Sequence, residues 1–177
     1  MTFPVRVVLP SLIVLLGLTS SCTPSPDKAR PAVICGTPVE PGLTRHLVPA
    51  GGDYREFNRV DRTKAVSAPC VLLAGKDAVL DFHFWWTDGP TDFKYMTAET
   101  GSVSRVNNAR KIEFRYPAVA GTDGAIATAP CKTRRGNYFT LTLQLPLIKV
   151  TDRSRRGDIE RFMRVYFPAT VATLGCS

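Results

Sequence analysis

Histidine is scarce in this chain, and the paired cysteines of metal sites are missing. Only His46 and His83 occur, far apart, and no two cysteines stand in a CxxC spacing. Zinc binding and thioredoxin-like redox chemistry therefore lack their usual ligands. GxSxG and HExxH are also missing, which removes two common signatures of hydrolytic enzymes. No RNP-like or zinc-finger pattern appears, so nucleic acid is not an expected partner despite the basic charge. No apolar run approaches the roughly 20 residues of a membrane-spanning helix. The longest, Val7 to Leu18, is interrupted by Pro10.

Basic residues, in contrast, are plentiful. Lysine and arginine number 23 against 15 acids, a formal charge of +8 over 177 residues. That balance favours acidic surfaces such as anionic lipid or anionic wall polymers. General solubility is the better-supported reading of the charge. Hydrophobic content of 44% is ordinary for a globular protein. The length suits one domain, or two small halves sharing a core.

The N-terminus has the layout of an export signal. Arg6 precedes the apolar run, and Thr19-Ser20-Ser21 are small residues directly before Cys22. Small residues before a cysteine resemble the bacterial lipobox. In such lipoproteins the cysteine becomes the first mature residue and carries acyl chains. Thr19 stands where leucine is usual, with Leu18 one place further out. The expected organisation is a signal over 1–21, a tether over 22–32 rich in proline and charge, and one globular domain over 33–177. Possible halves are 33–100 and 101–177. The lipid on Cys22 would make the membrane a partner. The chain would stand outside the cytoplasmic membrane, anchored to its outer face; plain secretion is the alternative.

Setting Cys22 aside leaves Cys35, Cys70, Cys131 and Cys176. An even number in an exported chain suggests two disulfides, and four cysteines allow three connectivities. A short phrase occurs twice: Ala68-Pro69-Cys70 with Gly75 five residues on, and Ala129-Pro130-Cys131 with Gly136 five residues on. Each copy reads as the entry to a strand. The repetition favours Cys35 with Cys70 and Cys131 with Cys176, one staple per half. Duplication and coincidence both explain so short a phrase.

Alternation marks the strands. Over Ala78 to Trp86, Leu80, Phe82, Phe84 and Trp86 share an apolar face, while Val79, Asp81, His83 and Trp85 share the other. Lys111 to Tyr116 alternates, with Ile112, Phe114 and Tyr116 inward. Asp123-Gly124 then turns into Ala125 to Ala129, which suggests a hairpin. Asn137 to Leu145 reads as a half-buried strand, with Pro146 forcing an edge or bulge there. Glu56 to Val66 reads as an edge strand, and Leu43 to Val48 as a short strand at most. Phe93 to Glu99 is compatible with a helical turn, and Gly101 to Asn108 reads as loop.

From Asp158 onward the period becomes helical, with Ile159, Phe162, Met163 and Tyr166 in one stripe. Ser154 or Asp152 is placed to cap this helix, Glu160 and Arg164 to pair along it, and Pro168 to kink or restart it. The fold class expected is α+β. Antiparallel strands, in two similar halves, would carry a C-terminal amphipathic helix on one face.

Two surfaces invite function. Asp81 and His83 share a strand face, where an acid could orient a histidine as general base. No nucleophile is marked for them, and a solvated strand face explains both. Beside them Trp85 offers aromatic area for sugar rings, lipid headgroups or a partner protein, unless a loop or second sheet covers it. Arg153, Arg155, Arg156, Arg161 and Arg164 gather at the helix start, against the helix dipole. With Lys132, Arg134 and Arg135 they suggest an anion-facing patch. Asp152, Asp158 and Glu160 offset them, so a solvated face is the simpler reading.

Taken together, Cys22 and its context, the Ala-Pro-Cys phrases, the run Tyr138 to Pro146, and the closing Asp158 to Arg164 with Leu174-Gly175-Cys176 resemble a group of small actinobacterial envelope lipoproteins. The resemblance covers most of the mature chain. It implies compartment and general build, and carries no activity, catalytic residue or cofactor. The function expected is a lipid-anchored, non-catalytic binding module. The alternatives are an envelope hydrolase using Asp81 and His83, or an electrostatic binder of wall polymers through Arg155 and Arg156. An envelope protein or an anionic polymer would be its partner.

Overall fold

A computed structural model describes residues 30–97 and 106–176 of the chain. The expected export signal and Cys22 lie outside the described residues, as do most of the expected tether and the segment 98–105. Among the described residues the order is β1 (Val33–Ile34), β2 (Thr37–Pro38), a 3-10 turn (Pro41–Thr44), β3 (Tyr54–Phe57), β4 (Ser67–Ala74) and β5 (Asp77–Thr87). Then follow α1 (Phe93–Thr97), β6 (Arg110–Lys111), β7 (Ala118–Ala120), β8 (Gly124–Thr133), β9 (Gly136–Gln144) and α2 (Arg156–Ala172). The protein is α+β, with antiparallel strands throughout and the C-terminal helix packed on the sheet.

The main sheet has the order β3-β4-β5-β9-β8-β7-β6 among the described residues. It is two meanders joined at their last strands. β3, β4 and β5 come from the first half of the chain, β6 to β9 from the second, and the seam is the β5–β9 ladder. The halves therefore share one sheet and one core.

Period-2 alternation decides which face α2 covers. Leu80, Phe82 and Phe84 on β5, and Phe139, Leu141 and Leu143 on β9, are fully buried. α2 brings Ile159, Phe162, Met163, Tyr166 and Phe167 onto them. Phe82 meets Tyr166 at 5.0 Å and Phe139 meets Phe167 at 5.8 Å between ring centroids. Burial of each such ring stabilises by roughly 1.5–3 kcal/mol. β8 supplies Ala125, Ala127 and Ala129 to this face. Their small side chains let α2 approach the sheet closely.

The disulfides join Cys35 to Cys70 and Cys131 to Cys176. Cys35 and Gly36 form the two-residue turn of the β1–β2 hairpin, both at positive φ (49° and 71°). That is the conformation a tight hairpin of matching twist demands. Arg62 fastens the same hairpin to the helix end. Its guanidinium donates to the Gly36 carbonyl (2.6 Å), to Thr37 Oγ1 (3.0 Å) and to Thr173 Oγ1 (2.9 Å).

The first Ala-Pro-Cys phrase enters β4 one residue after its start, as expected of a strand entry, whereas the second lies late in β8 and is not one. In each, alanine and cysteine are buried and proline is exposed. Each proline also stands where its missing N–H costs nothing. β3 pairs only with Val71–Ala74 and stops short of Pro69. β7 pairs only with Ala125–Ala127, short of Pro130, where the ladder bulges. The two copies are not equivalent in depth. Cys70 lies opposite Phe82 in mid-strand, whereas Cys131 falls in the bulge beside the β8–β9 turn.

Several expectations change. Lys111 to Tyr116 is not a strand; β6 ends at Lys111. Ile112 is buried, and Phe114 and Tyr116 pack edge-on against Phe167 from beyond the sheet. The alternation reflected packing on the helix, not a ladder. Leu43 to Val48 runs from a 3-10 turn, since Pro41 presets its first φ. The expected edge strand at Glu56 to Val66 lies earlier, at Tyr54–Phe57. β9 is central and buried on both faces, with Thr140 and Thr142 as inaccessible as its leucines. Pro146 lies past its end and forces no edge. α2 runs through Pro168 to Ala172 as one helix. Its N-cap position is Arg155, with no side-chain cap; Asp152 instead accepts the Ser154 N–H at 2.8 Å. Arg164 donates to the Glu113 carbonyl, and Asp158 pairs with Arg161 at 3.2 Å.

Candidate functional site

The sheet face opposite α2 carries Asp81, His83, Trp85 and Thr87 from β5. Neighbouring strands place Ser67 and Pro69 on one side, and Thr140, Thr142 and Gln144 on the other. One end of this face is roofed by the segment around α1. Met96 packs there with Val106 and Ile126, and Trp85, Phe93 and Val119 border that small core. Asp92 fixes the roof by accepting the Lys94 N–H at 2.9 Å and the Tyr95 N–H at 3.2 Å. Thr91 and Thr140 join it to the sheet through their hydroxyls.

Trp85 is therefore half-covered by a loop, which was one of its two expected fates. Its indole nitrogen is buried and meets no acceptor among the described residues. Its remaining area walls a cleft of about 310 Å³, with Pro90, Asp92, Tyr95 and Met96 among the lining residues. Tyr95 is 61% exposed, so the cleft has one aromatic wall held rigidly by β5 and one open to solvent. Tyr95 carried no usable sequence signal, because the short helix that presents it spans only five residues.

His83 stacks on Trp85, ring centroids 5.3 Å apart and planes 12° from parallel. Its Nε2 is hydrogen-bonded to Ser67 Oγ at 2.6 Å, a partner across the β4–β5 ladder that the sequence did not mark. Burial lowers the His83 pKa, while the nearby Asp81 carboxylate opposes that shift. Burial raises the Asp81 pKa, and His83 opposes it. The structure thus places a hydroxyl, an imidazole and a carboxylate on adjacent positions of one sheet face. None of the three lines the cleft beside Trp85.

The expected arginine patch does not assemble. Arg155 donates to the His46 carbonyl at 2.7 Å, and Arg156 to the Asn108 carbonyl at 2.6 Å. With Arg164 on the Glu113 carbonyl, these cations clip three loops to α2. Arg155 also lines a cavity of about 410 Å³ with Arg30, Arg45 and His46. Lys132, Arg134 and Arg135 lie at the opposite, C-terminal end of α2, around the β8–β9 turn. There they border a concavity of about 820 Å³ together with Lys64, Leu174 and Gly175. Arg135 stacks on Trp86, its guanidinium carbon 3.7 Å from the ring centroid. Cations near a helix C-terminus are favoured by the dipole, in contrast to the arginines at its start.

Cys35, Cys70 and Glu56 come close enough to suggest a metal cluster. The disulfide consumes both sulfurs, and a Glu56 carboxylate oxygen accepts the Cys35 N–H at 2.6 Å. The group is structural.

No protein-family model, curated protein or solved structure matches this chain. The two disulfides indicate an oxidising, extracytoplasmic environment. Among the described residues no helix is long and apolar enough to cross a membrane.

Proposed function

We propose that the chain is a lipid-anchored, non-catalytic binding module held on the outer face of a bacterial cytoplasmic membrane. The small residues before Cys22, the proline-rich stretch after it and the two disulfides support the location. The resemblance to actinobacterial envelope lipoproteins accords with it. The observation that carries binding over catalysis is the setting of the Ser67–His83 pair. His83 lies on β5, which is paired along both edges. The amides flanking it are committed to ladders, and none of Ser67, His83 and Asp81 lines the cleft beside Trp85 in which a ligand could seat. Trp85 and Tyr95, by contrast, present aromatic area in a cleft.

The short Ser67–His83 contact favours a second reading, an envelope hydrolase with Ser67 as nucleophile, His83 as base and Asp81 orienting it. Two measurements separate these. Cys22→Ser is expected to release the protein from membranes; unchanged fractionation overturns the anchor. Purified protein is expected to turn over no ester or amide substrate. Turnover abolished alike by Ser67→Ala and His83→Ala would establish the hydrolase instead.

A further inference from the structure

We infer that the stretch Pro146 to Arg153, between β9 and α2, is a membrane-docking surface that seats the domain on a bilayer containing anionic phospholipid. The inference rests on the lipid-anchored reading above and names the face that the anchor would bring to the bilayer.

Two consecutive turns build this surface. The Ile148 N–H donates to the Leu145 carbonyl at 3.0 Å, and the Asp152 N–H to the Lys149 carbonyl at 2.8 Å. Pro146 presets the first turn and leaves Leu147 at its corner, while Val150 takes a corner of the second. Leu147 is 57% exposed and Val150 47%. The Thr122 hydroxyl donates to the Val150 carbonyl at 2.7 Å, which fastens the second turn to the end of the sheet. Lys149 lies between the two apolar corners and Arg153 follows them, both exposed. Arg155, just behind, gives its hydrogen bond to the neutral His46 carbonyl, so its charge is not cancelled. These three cations share the stretch 149–155 with a single acid, Asp152. Attraction to a charged bilayer sums net charge over the face and does not require unpaired side chains. Basic residues beside apolar corners suit the boundary between headgroups and acyl chains, because their stems lie along apolar matter while their heads stay among phosphates. Two corners offer far less apolar area than a stable protein interface buries, which favours a bilayer over a protein as the occupant.

The tether selects the same face. Arg30 is buried and lines one cavity with Leu147, Ile148 and Arg155. Only the stretch Thr23 to Ala29 stands between Arg30 and Cys22. Fully extended, that stretch reaches at most about 30 Å. A compact domain of this length is roughly 35–40 Å across. Lys64 and Lys94 mark the other end of the molecule. Lys64 borders the C-terminal end of α2, and Lys94 stands on α1, which follows the far end of β5. An acyl group on Cys22 therefore brings Leu147 and its neighbours to the bilayer and keeps Lys64 and Lys94 away from it.

The test uses the full chain, purified with its native N-terminal processing and placed in vesicles. One set contains phosphatidylglycerol and phosphatidylcholine, the other phosphatidylcholine alone. A water-soluble acylating reagent labels lysines, and peptide mass analysis reads each site. Lys149 is expected to label at least about fivefold more slowly on the anionic vesicles than on the neutral ones. Lys64 and Lys94 should label alike on both, and their unchanged labelling in each variant reports an intact fold. Arg153→Glu, and separately Leu147→Ser with Val150→Ser, should remove most of the Lys149 protection. Arg134→Glu, an equal charge change at the far end of α2, should leave it. Equal Lys149 labelling on the two vesicle types would overturn the surface. Protection lost alike in Arg153→Glu and Arg134→Glu would mark a net-charge effect and also overturn it. Cys22→Ser separates this inference from the anchor. Its release from vesicles, with Lys149 unprotected in the wild type, leaves the anchor standing and sinks the surface; its retention on anionic vesicles with Lys149 protected does the reverse.

Discussion

Tyr166 carries a hydroxyl into the centre of the core, where it donates to the Ile34 carbonyl at 3.0 Å. Desolvation pushes its pKa far above the ordinary phenol range, so it stays a neutral donor at physiological pH. Thr37 and Thr170 complete the network, their hydroxyls 3.0 Å apart, and Thr170 also donates to the Tyr166 carbonyl at 2.9 Å. Buried polar groups of this kind stabilise only when every member is satisfied. His83 is the residue whose charge state matters near neutrality. Burial depresses its pKa, so the unfolded chain takes up a proton near pH 6.5 that the folded chain resists. The stability this contributes is present above pH 6.5 and is lost as pH falls through the lower folded value. Wild type should therefore lose stability relative to His83→Gln as pH is lowered from about 7 to 5. Urea titrations across that range measure it, and a constant difference would show that His83 is not desolvated. Asp81 works in the opposite direction. Its folded pKa is raised above the usual 3.8, so its protonation as pH falls toward that value favours the folded state.

At the scale of elements, four prolines behave differently because of where the ladders, turns and helix leave them. Pro69 and Pro130 point unused ladder positions outward, and Pro146 lies beyond β9. Pro168 is the exception, sitting inside α2 with no N–H for the Arg164 carbonyl. An interior proline costs a helix about 3 kcal/mol. The helix survives because its apolar face is clamped to the sheet by Phe162, Tyr166 and Phe167. Pro168→Ala should restore one helical hydrogen bond and raise stability by about 1–3 kcal/mol. Thermal unfolding checks this; a destabilised variant would mean that the ring packs in a way alanine cannot replace. The β4–β5 hairpin shows a different dependence on context. Its two-residue turn at Gly75-Lys76, carried through unshifted, would put Ser67 opposite Phe84 on the core face. The irregularity between Leu72 and Leu73 shifts the register by one. Ser67 then lies opposite Trp85, on the face of His83.

Across the whole molecule the disulfides act on different boundaries. Cys35–Cys70 ties the β1–β2 hairpin to β4, and Cys131–Cys176 ties the end of α2 to β8. The bonded residues are 35 and 45 positions apart, and chain entropy assigns about 4 kcal/mol to each loop. Cys131→Ser with Cys176→Ser should lose roughly 2–5 kcal/mol of unfolding free energy, measured by denaturant titration. A loss well under 1 kcal/mol would show that α2 is held by its aromatic face alone.

Local alternation was enough to read β5, β9, the helical stripe of α2 and hence the α+β class. Each depends on side chains a few residues apart meeting one buried surface. Arg155, Lys132 and Arg135 show where that reasoning stops. Proximity in sequence grouped the first with its neighbours on α2, and positive charge joined the others to them. α2 spans 17 residues, and the sheet delivers the β8–β9 turn to its far end. Ser67 and Tyr95 likewise reach their site through a register shift and a short helix that no periodicity announces. The sequence by itself determined the inward residues, the cysteine count and the basic balance, because burial and export act on residue type and spacing. Only the tertiary structure decided which cations share a concavity and which hydroxyl meets His83. Those contacts join segments far apart in the chain, and ladder register and helix placement set them.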